Sequence, residues 1–450
     1  MNNHRSRIFQ ARFLNQPTVF IGSNTAVREL LHDKYNCFRM GYKDFFHQIY
    51  GNSLLFSDGL EAEELRQSLH DLFQPASTSL NEHSVQIDRF AEEAVETMLS
   101  KDYILVYEHF KQVTTQLCLS LFLGLDHSLS VDLMKELCEL STVHWHGMIS
   151  VPLSLSLPWL VSSGFSKALH AKEQLLKIIK KRLQTAEDGF PARIKTALQS
   201  EDAEQNLLLF ISALVPKALS SLLTSFICCS HLWCHEPLIK NGELDVSLLE
   251  CILLEVMRIW PPFIGGRRVA IMECTIGGFH IPKNYAVIYL AHAAHLDPEA
   301  FPQPESFLPA RWKDCSDSDK EKLYCFGGGP RNCIGQHLVW TILKAVTSRL
   351  VMRSTWDIVE NAGSPRKWLP VSRPLRSPLA KFVSTAGKPT WSSQRPAVIV
   401  MNADKQQKED NVKKNLLVIA CSDDPVCETG GTAHCFGEVA ASCTSDTEIQ

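Results

Sequence analysis

Ten residues near the end of this 450-residue chain constrain it most: Phe326-Gly-Gly-Gly-Pro-Arg-Asn-Cys333-Ile-Gly335. Gly327, Gly328 and Gly329 form a tight turn in which the backbone can pass close beneath another group. From His337 to Val351 the apolar positions recur at helical spacing, so a long helix follows directly. Cys333 is therefore held on a short loop where the N–H groups and positive dipole end of a helix point at its sulfur. Gly335 lets that helix pack closely, and Arg331 places a permanent cation two residues before the thiol. The plain alternative is a glycine-rich turn that carries an ordinary buried cysteine.

Composition leaves room for a chain that encloses something large. With 45% hydrophobic and 9% aromatic residues it is an ordinary globular sequence, neither disordered nor fibrous. At 450 residues it can bury a core big enough to surround a sizeable cofactor. A net charge of −4 gives no large single-sign field, which argues against nucleic acid as a partner. Fifteen cysteines, an odd number without the spacing of a small disulfide framework, read as reduced thiols with at least one doing chemistry. Met1 to Gln10 is polar and basic with no apolar signal region, so the chain reads as soluble or cut short at its front end.

Along the chain, Pro17–Gly22 predicts a short strand and Thr25–His32 a helix. Residues 84–125 carry helical spacing, with Phe90, Ala94, Val95 and Met98 on one face. Residues 148–165 are apolar but broken by Pro152 and Pro158, which suits a loop or short helices resting on a membrane surface or a hydrophobic entrance. Lys167–Leu183 predicts a helix with a basic face. Residues 207–233 are the longest apolar stretch, interrupted only by Pro216 and Lys217. It is long enough to span a membrane, and we read it as a single helix through the core. Leu248–Ile259 predicts another helix, ended by Pro261-Pro262. Val269–Ile276 and Tyr285–Leu290 read as strands around turns at Gly277-Gly278 and Pro282-Lys283-Asn284. The expected fold is mainly α (α+β), with a small β portion in a domain spanning 1–385 and a poorly ordered tail over 386–450.

A thiolate that ligates haem iron needs a tight glycine loop beneath a flat macrocycle, donors that temper its charge and a cation for a propionate. The loop meets each need, and it matches the haem-binding segment Phe-x-x-Gly-x-Arg-x-Cys-x-Gly of the cytochrome P450 family at Phe326, Gly329, Arg331, Cys333 and Gly335. Two further segments resemble that family in the same order. Glu255-Val-Met-Arg258 resembles its Glu-x-x-Arg helix, and Pro309-Ala-Arg311 its Pro-x-Arg segment. The resemblance covers residues 7 to about 385. It implies haem b (iron protoporphyrin IX) with Cys333 as axial iron ligand and catalytic residue, and a structural triad of Glu255, Arg258 and Arg311. It implies propionate contacts from Arg331, from Arg268 (with Arg267 competing) and from Arg66. Four residues before Arg66, where the family often has tryptophan or histidine, stands Ala62. The segment Met148–Arg182 looks most like the retinoic-acid hydroxylase and plant triterpenoid-sterol hydroxylase branch. That likeness implies dioxygen and a small hydrophobic substrate such as a retinoid, sterol or terpenoid. With no Gly-rich phosphate loop after a strand, electrons would come from a partner such as an NADPH-dependent reductase, with Lys344 among the cations that could face it. The resemblance implies the endoplasmic reticulum membrane, although the family's N-terminal anchor is not found at the front of this sequence.

The central helix departs from the family. Where relatives carry Ala-Gly-x-acid-Thr, this chain has Leu214-Val215-Pro216-Lys217-Ala218-Leu219, so Lys217 stands for the acid and Ala218 for the alcohol. Val215, Ala218 and Leu219 would line the distal pocket. Three readings stay open: a monooxygenase that protonates dioxygen by another route through Ser220, Ser221 or substrate hydroxyls; a haem-thiolate isomerase or dehydratase acting on an oxidised lipid; and a catalytically impaired haem-binding protein. The run from Cys228 to His235 and the tail cysteines 421, 427, 435 and 443 lack zinc-ligand spacing, so we read them as ordinary thiols.

Overall fold

The computed structural model describes residues 7–13, 15–73, 78–125, 131–150, 163–234 and 238–385. Its main sheet is built from strands far apart in sequence: β1 (Ile8–Phe13), β2 (Gln16–Ile21), β3 (Phe38–Met40), β4 (Gly265–Ala270) and β5 (Ala286–Leu290). Their order is β1-β2-β5-β4-β3. β2 and β5 run parallel, with Thr18 opposite Ala286, and the other pairs are antiparallel. β5 reads Ala-Val-Ile-Tyr-Leu without alternation, as expected of a central strand covered on both faces. The expected strand Val269–Ile276 is instead two. β4 ends at Ala270, and Cys274–Ile276 forms a separate hairpin with Phe279–Ile281. Between them Ile271 and Met272 are exposed, so the chain has left the sheet where nothing covers its apolar side chains.

Helices make up most of the remainder: α1 (Gly59–His70), α2 (Thr78–Leu99), α3 (Val106–Leu123), α4 (Val131–His146), α5 (Gly164–Thr185), α6 (Ser200–Ser212), α7 (Leu214–Cys228), α8 (Val246–Ile259) and α9 (Gln336–Arg353). Residues 84–125 are thus two helices, parted at 100–105, where Ile104–Leu105 forms a short strand. Ala94, Val95 and Met98 are buried on one face of α2, beside a half-buried Phe90. α9 presents Leu338, Val339, Ile342, Leu343, Val346 and Leu350 as a continuous buried stripe, each such side chain contributing about 1.5–3 kcal/mol.

The expected single helix over 207–233 is broken. α6 stops at Ser212, Ala213 takes φ −112° and ψ −101°, and α7 begins at Leu214. Pro216 supplies the reason. Its ring clashes with the carbonyl four residues back, that of Ser212, so the chain leaves helical geometry one residue later. Restarting at Leu214 puts Pro216 in the first turn of α7, where its missing N–H costs nothing. A second break follows Cys228, before the short helix Ser230–Trp233. Ser200–Cys228 is apolar enough to cross a membrane by length and composition, but that stretch is buried inside the protein. α7 packs along α3, where the Thr114 hydroxyl donates to the Pro216 carbonyl at 3.0 Å. Most of 148–165 and all of the tail from 386 lie outside the described residues.

Candidate functional site

The Cys333 loop is held from several directions. The Cys333 N–H donates to the Phe326 carbonyl at 2.7 Å, and the Gly327 N–H to the Tyr324 carbonyl at 3.1 Å. Gly327 and Gly329 have φ of +75° and +63°, a region that favours glycine. A Cβ on Gly329 would also run into the Leu31 carbonyl, so this loop lies directly on the segment after the first short helix. Upstream, the Tyr324 N–H donates to His295 Nε2 at 2.8 Å and the Tyr324 hydroxyl to the Asn24 carbonyl at 3.0 Å. Gly335 is the N-cap of α9, so the loop ends as that helix begins.

Cys333 is exposed by surface accessibility, yet burial is the main cause pushing its thiol above the ordinary value. Two effects oppose burial: the backbone N–H of Gly335 and the positive charge of Arg66. Each favours a thiolate, which is the form that binds metal.

Arg66 acts on this thiol directly, and two further arginines lie on or beside its loop. Arg66 of α1 donates from Nη2 to the Asn332 carbonyl at 2.8 Å and to its side-chain oxygen at 3.0 Å, next door to Cys333. Arg331 donates to the Ser57 carbonyl at 2.7 Å and pairs with Asp58 at 3.1 Å. Arg268 of β4 lines a small cavity together with Arg331, Gly328, Leu31 and Met40. Neighbouring β4 residues face opposite sides. Arg267 accordingly points away, 1% exposed, with its guanidinium on the Gly41 carbonyl and Gln16 and over the Phe45 ring. Burial lowers both Arg66 and Arg331, and each is also lowered by another of the arginines. Asp58, the carboxylate ion-paired to Arg331, is also held by the Met40 N–H at 2.9 Å. Crowded guanidinium groups with so little counter-charge form a site for an acidic group. The sequence signal for Asp58 was available, since it directly precedes a helix, but nothing local marked its link to Arg331.

Behind the loop, Glu255 and Arg258 of α8 are completely buried and joined at 2.7 Å and 2.9 Å. Arg311 reaches the same carboxylate at 3.1 Å. Two further donors were not legible in the sequence: Trp312 Nε1 at 2.8 Å and the Leu308 N–H at 2.9 Å. The opposite side of Arg258 donates to the carbonyls of His295, Pro304 and Ser306. The network ties α8 to the segment that leads into the Cys333 loop.

On α7, Val215, Ala218 and Leu219 are all buried. Lys217 is buried as well, and Ser220 and Ser221 donate to the carbonyls of Lys217 and Ser372. Lys344 pairs with Glu250 of α8 at 3.0 Å. Among the described residues no three His, Cys, Asp or Glu side chains converge as metal ligands. An exposed thiol before a helix N-terminus, with Arg66 beside it and Arg268 and Arg331 close to its loop, is a donor set that suits a dianionic macrocycle with a thiolate-bound metal, so these residues fit haem.

The cytochrome P450 family model matches residues 244–374, which contain the Glu255 network and the Cys333 loop. The chain is 25% identical to a putative cytochrome P450 120 of Synechocystis over 397 residues, covering 82% of this chain and 87% of that one. It is 25% identical to a beta-amyrin 28-monooxygenase of Medicago truncatula, covering 82% and 85%, and 23% identical to cytochrome P450 26A1 of Danio rerio, covering 84% of each. Among solved structures, retinoic-acid-bound cyanobacterial CYP120A1 superposes with a TM-score of 0.72 at 23% identity, over 84% of this chain and 92% of that one. A zebrafish cytochrome P450 with progesterone superposes with a TM-score of 0.68 at 16% identity, over 85% and 97%.

Proposed function

We propose that this chain is a haem-thiolate monooxygenase of the cytochrome P450 family, for a small hydrophobic substrate of retinoid, sterol or terpenoid type. The observation that supports the proposal is Cys333, an exposed thiol on the loop just before α9, with Arg66 bonded to its neighbour Asn332 and with Arg268 and Arg331 lining a cavity beside the same loop. Cys333 would be the axial ligand of haem b, with Phe326, Gly329 and Gly335 shaping its loop. Bound there, haem would supply one-electron and dioxygen chemistry, which a thiolate ligand biases toward O–O cleavage. The Gly335 N–H would temper the sulfur's charge, and the three arginines would hold the propionates. Glu255, Arg258 and Arg311 would fix the backbone behind the loop without touching the reacting atoms. Val215, Ala218 and Leu219 would exclude water from the distal side. Electrons would come from a separate reductase. The substrate class is supported by the beta-amyrin 28-monooxygenase relative and the retinoic-acid-bound neighbour.

One observation favours a second reading. Every hydroxyl on α7 is already a donor to a backbone carbonyl: Ser220 to Lys217, Ser221 to Ser372, Thr224 to Ser220 and Ser225 to Ser221. None is left poised to pass a proton, the work a general acid does when oxygen is cleaved. A haem-thiolate isomerase or dehydratase acting on an oxidised lipid would need no such relay.

The test is the spectrum of haem-supplemented, reduced protein under carbon monoxide. A strongly red-shifted Soret band that disappears in Cys333→Ala supports the thiolate site, whereas no retained haem overturns it. Substrate oxidation that depends on reductase and NADPH supports the monooxygenase. Turnover of a lipid hydroperoxide without any reductant supports the second reading.

A further inference from the structure

Lys217 is 1% exposed, and its Nζ makes no hydrogen bond among the described residues. A buried ammonium without a partner is strongly disfavoured, so the ligand-free protein holds a destabilising charge that an anion from outside would relieve. Among the described residues the neighbouring elements offer Lys217 no free carboxylate. On α3, Glu108 is the acidic neighbour, but its carboxylate is ion-paired to Lys111. The Cys118 thiol of α3 and the Cys138 thiol of α4 also lie near Lys217, but burial pushes both upward (Cys138 to about 11), so both stay neutral.

Charge of the same sign accumulates instead. His146, at the end of α4, is within electrostatic reach of Lys217, Lys111, Arg373 and Lys367 together; burial and these cations lower it to about 4, so it is neutral and marks where they gather. Arg373 stacks over the Tyr107 ring of α3 at 5.8 Å. Cations from α3, α7 and the strands near residue 370 therefore gather around His146, and Glu108, the acid beside Lys217 among the described residues, is already paired.

We propose that this cluster binds the carboxylate of an amphipathic acid, with Lys217 as its innermost contact. The apolar part of the ligand follows from the walls. Lys217 turns toward α3 and α4, where the buried, neutral Cys118 and Cys138 lie beside it, so an anion must bring apolar surface with it to recover what leaving water costs it. An inorganic anion brings none. The position is also where Lys217 stands in place of the family's acid, so the charge there is inverted relative to a proton-delivering site. That the bound acid is also the molecule oxidised rests on the haem reading above; the binding itself does not.

Calorimetric titration of the full-length chain with dodecanoate, dodecan-1-ol and inorganic phosphate tests the assignment. Dodecanoate is expected to bind at least tenfold more tightly than the alcohol. Lys217→Met should abolish that preference, and Lys217→Arg should keep most of it. Equal affinity for acid and alcohol in the unaltered protein overturns the proposal without needing any variant to fold. So does an undiminished preference in Lys217→Met, or phosphate binding as tightly as dodecanoate. Measuring the carbon monoxide spectrum on the same preparation separates the two conclusions. A red-shifted band with no preference for the acid removes this inference alone. A preference without the band leaves it standing and removes the haem reading.

Discussion

Glu255 holds Arg258 through both carboxylate oxygens, Nε to Oε2 at 2.9 Å and Nη2 to Oε1 at 2.7 Å, with neither side chain exposed. The same two oxygens also accept from Arg311, Trp312 and the Leu308 backbone, so one carboxylate organises five donor contacts. Glu255→Ala leaves a buried guanidinium uncompensated and should cost about 3–5 kcal/mol. Urea unfolding measures this directly. A loss below about 1 kcal/mol would mean that the network is far less coupled than its geometry implies.

The acid side of the stability curve should be dominated by buried histidines. His295 donates from Nδ1 to the Arg258 carbonyl and accepts at Nε2 from the Tyr324 N–H, so it is held neutral with both nitrogens in use. Burial lowers it from 6.5 to about 3, and lowers His144 and His292 to about 4. A depressed histidine binds its proton in the unfolded chain first. Its contribution is therefore complete above pH 6.5 and shrinks as pH falls toward 3, by up to about 1.4 kcal/mol per pH unit for each such group. His295→Gln should flatten the decline between pH 6 and 4, read as the urea midpoint against pH. A slope unchanged by the substitution would remove His295 from the account.

Gly329→Ala should damage the loop by two routes. Alanine at φ +63° costs about 1–3 kcal/mol, and its methyl would meet the Leu31 carbonyl, which cannot swing aside as a side chain could. Gly363→Ala is the control, because a methyl there meets nothing. The expected result is lower thermal stability and weaker haem retention for Gly329→Ala only. Equal behaviour of the two variants would show that the loop tolerates a shift.

Much of this arrangement was legible locally. Glu255 and Arg258 lie one helical turn apart, and Gly327 to Gly335 leads into a helix, so short-range spacing carried the information. Longer-range partners were not legible. Nothing near Arg331 announces Asp58, 273 residues away, and nothing near Glu255 announces Trp312, 57 residues on. The choice between Arg267 and Arg268 turned on which face of β4 meets the loop, which only strand pairing decides. The break at Ala213 was half legible. Pro216 promised a disruption, but its place depends on the clash with the Ser212 carbonyl rather than on the proline itself. The absence of a counter-charge at Lys217 was hidden altogether, since Glu108 and Lys111 are over a hundred residues away in sequence.

Lys217→Met should stabilise the ligand-free protein. Burial lowers Lys217 from 10.5 to about 8, so between those values the unfolded chain carries a proton that the native state has released. The Lys217 contribution must therefore rise as pH increases across that window, and it is least favourable below pH 8, where the buried amine is charged and unpaired. Buried tyrosines and cysteines titrate in the same range with the opposite sign, as the upward shifts of Tyr50 and Cys118 require. The informative quantity is thus the difference between the methionine variant and the unaltered protein. At pH 7 methionine removes a stranded charge and keeps most of the side-chain volume, so the variant should unfold at higher urea. That advantage should narrow steadily from pH 8 to pH 10.5. Saturating dodecanoate should raise the stability of the unaltered protein and leave the variant where it was. A variant less stable at pH 7, with or without the acid, would mean that Lys217 already has its counter-charge within the fold.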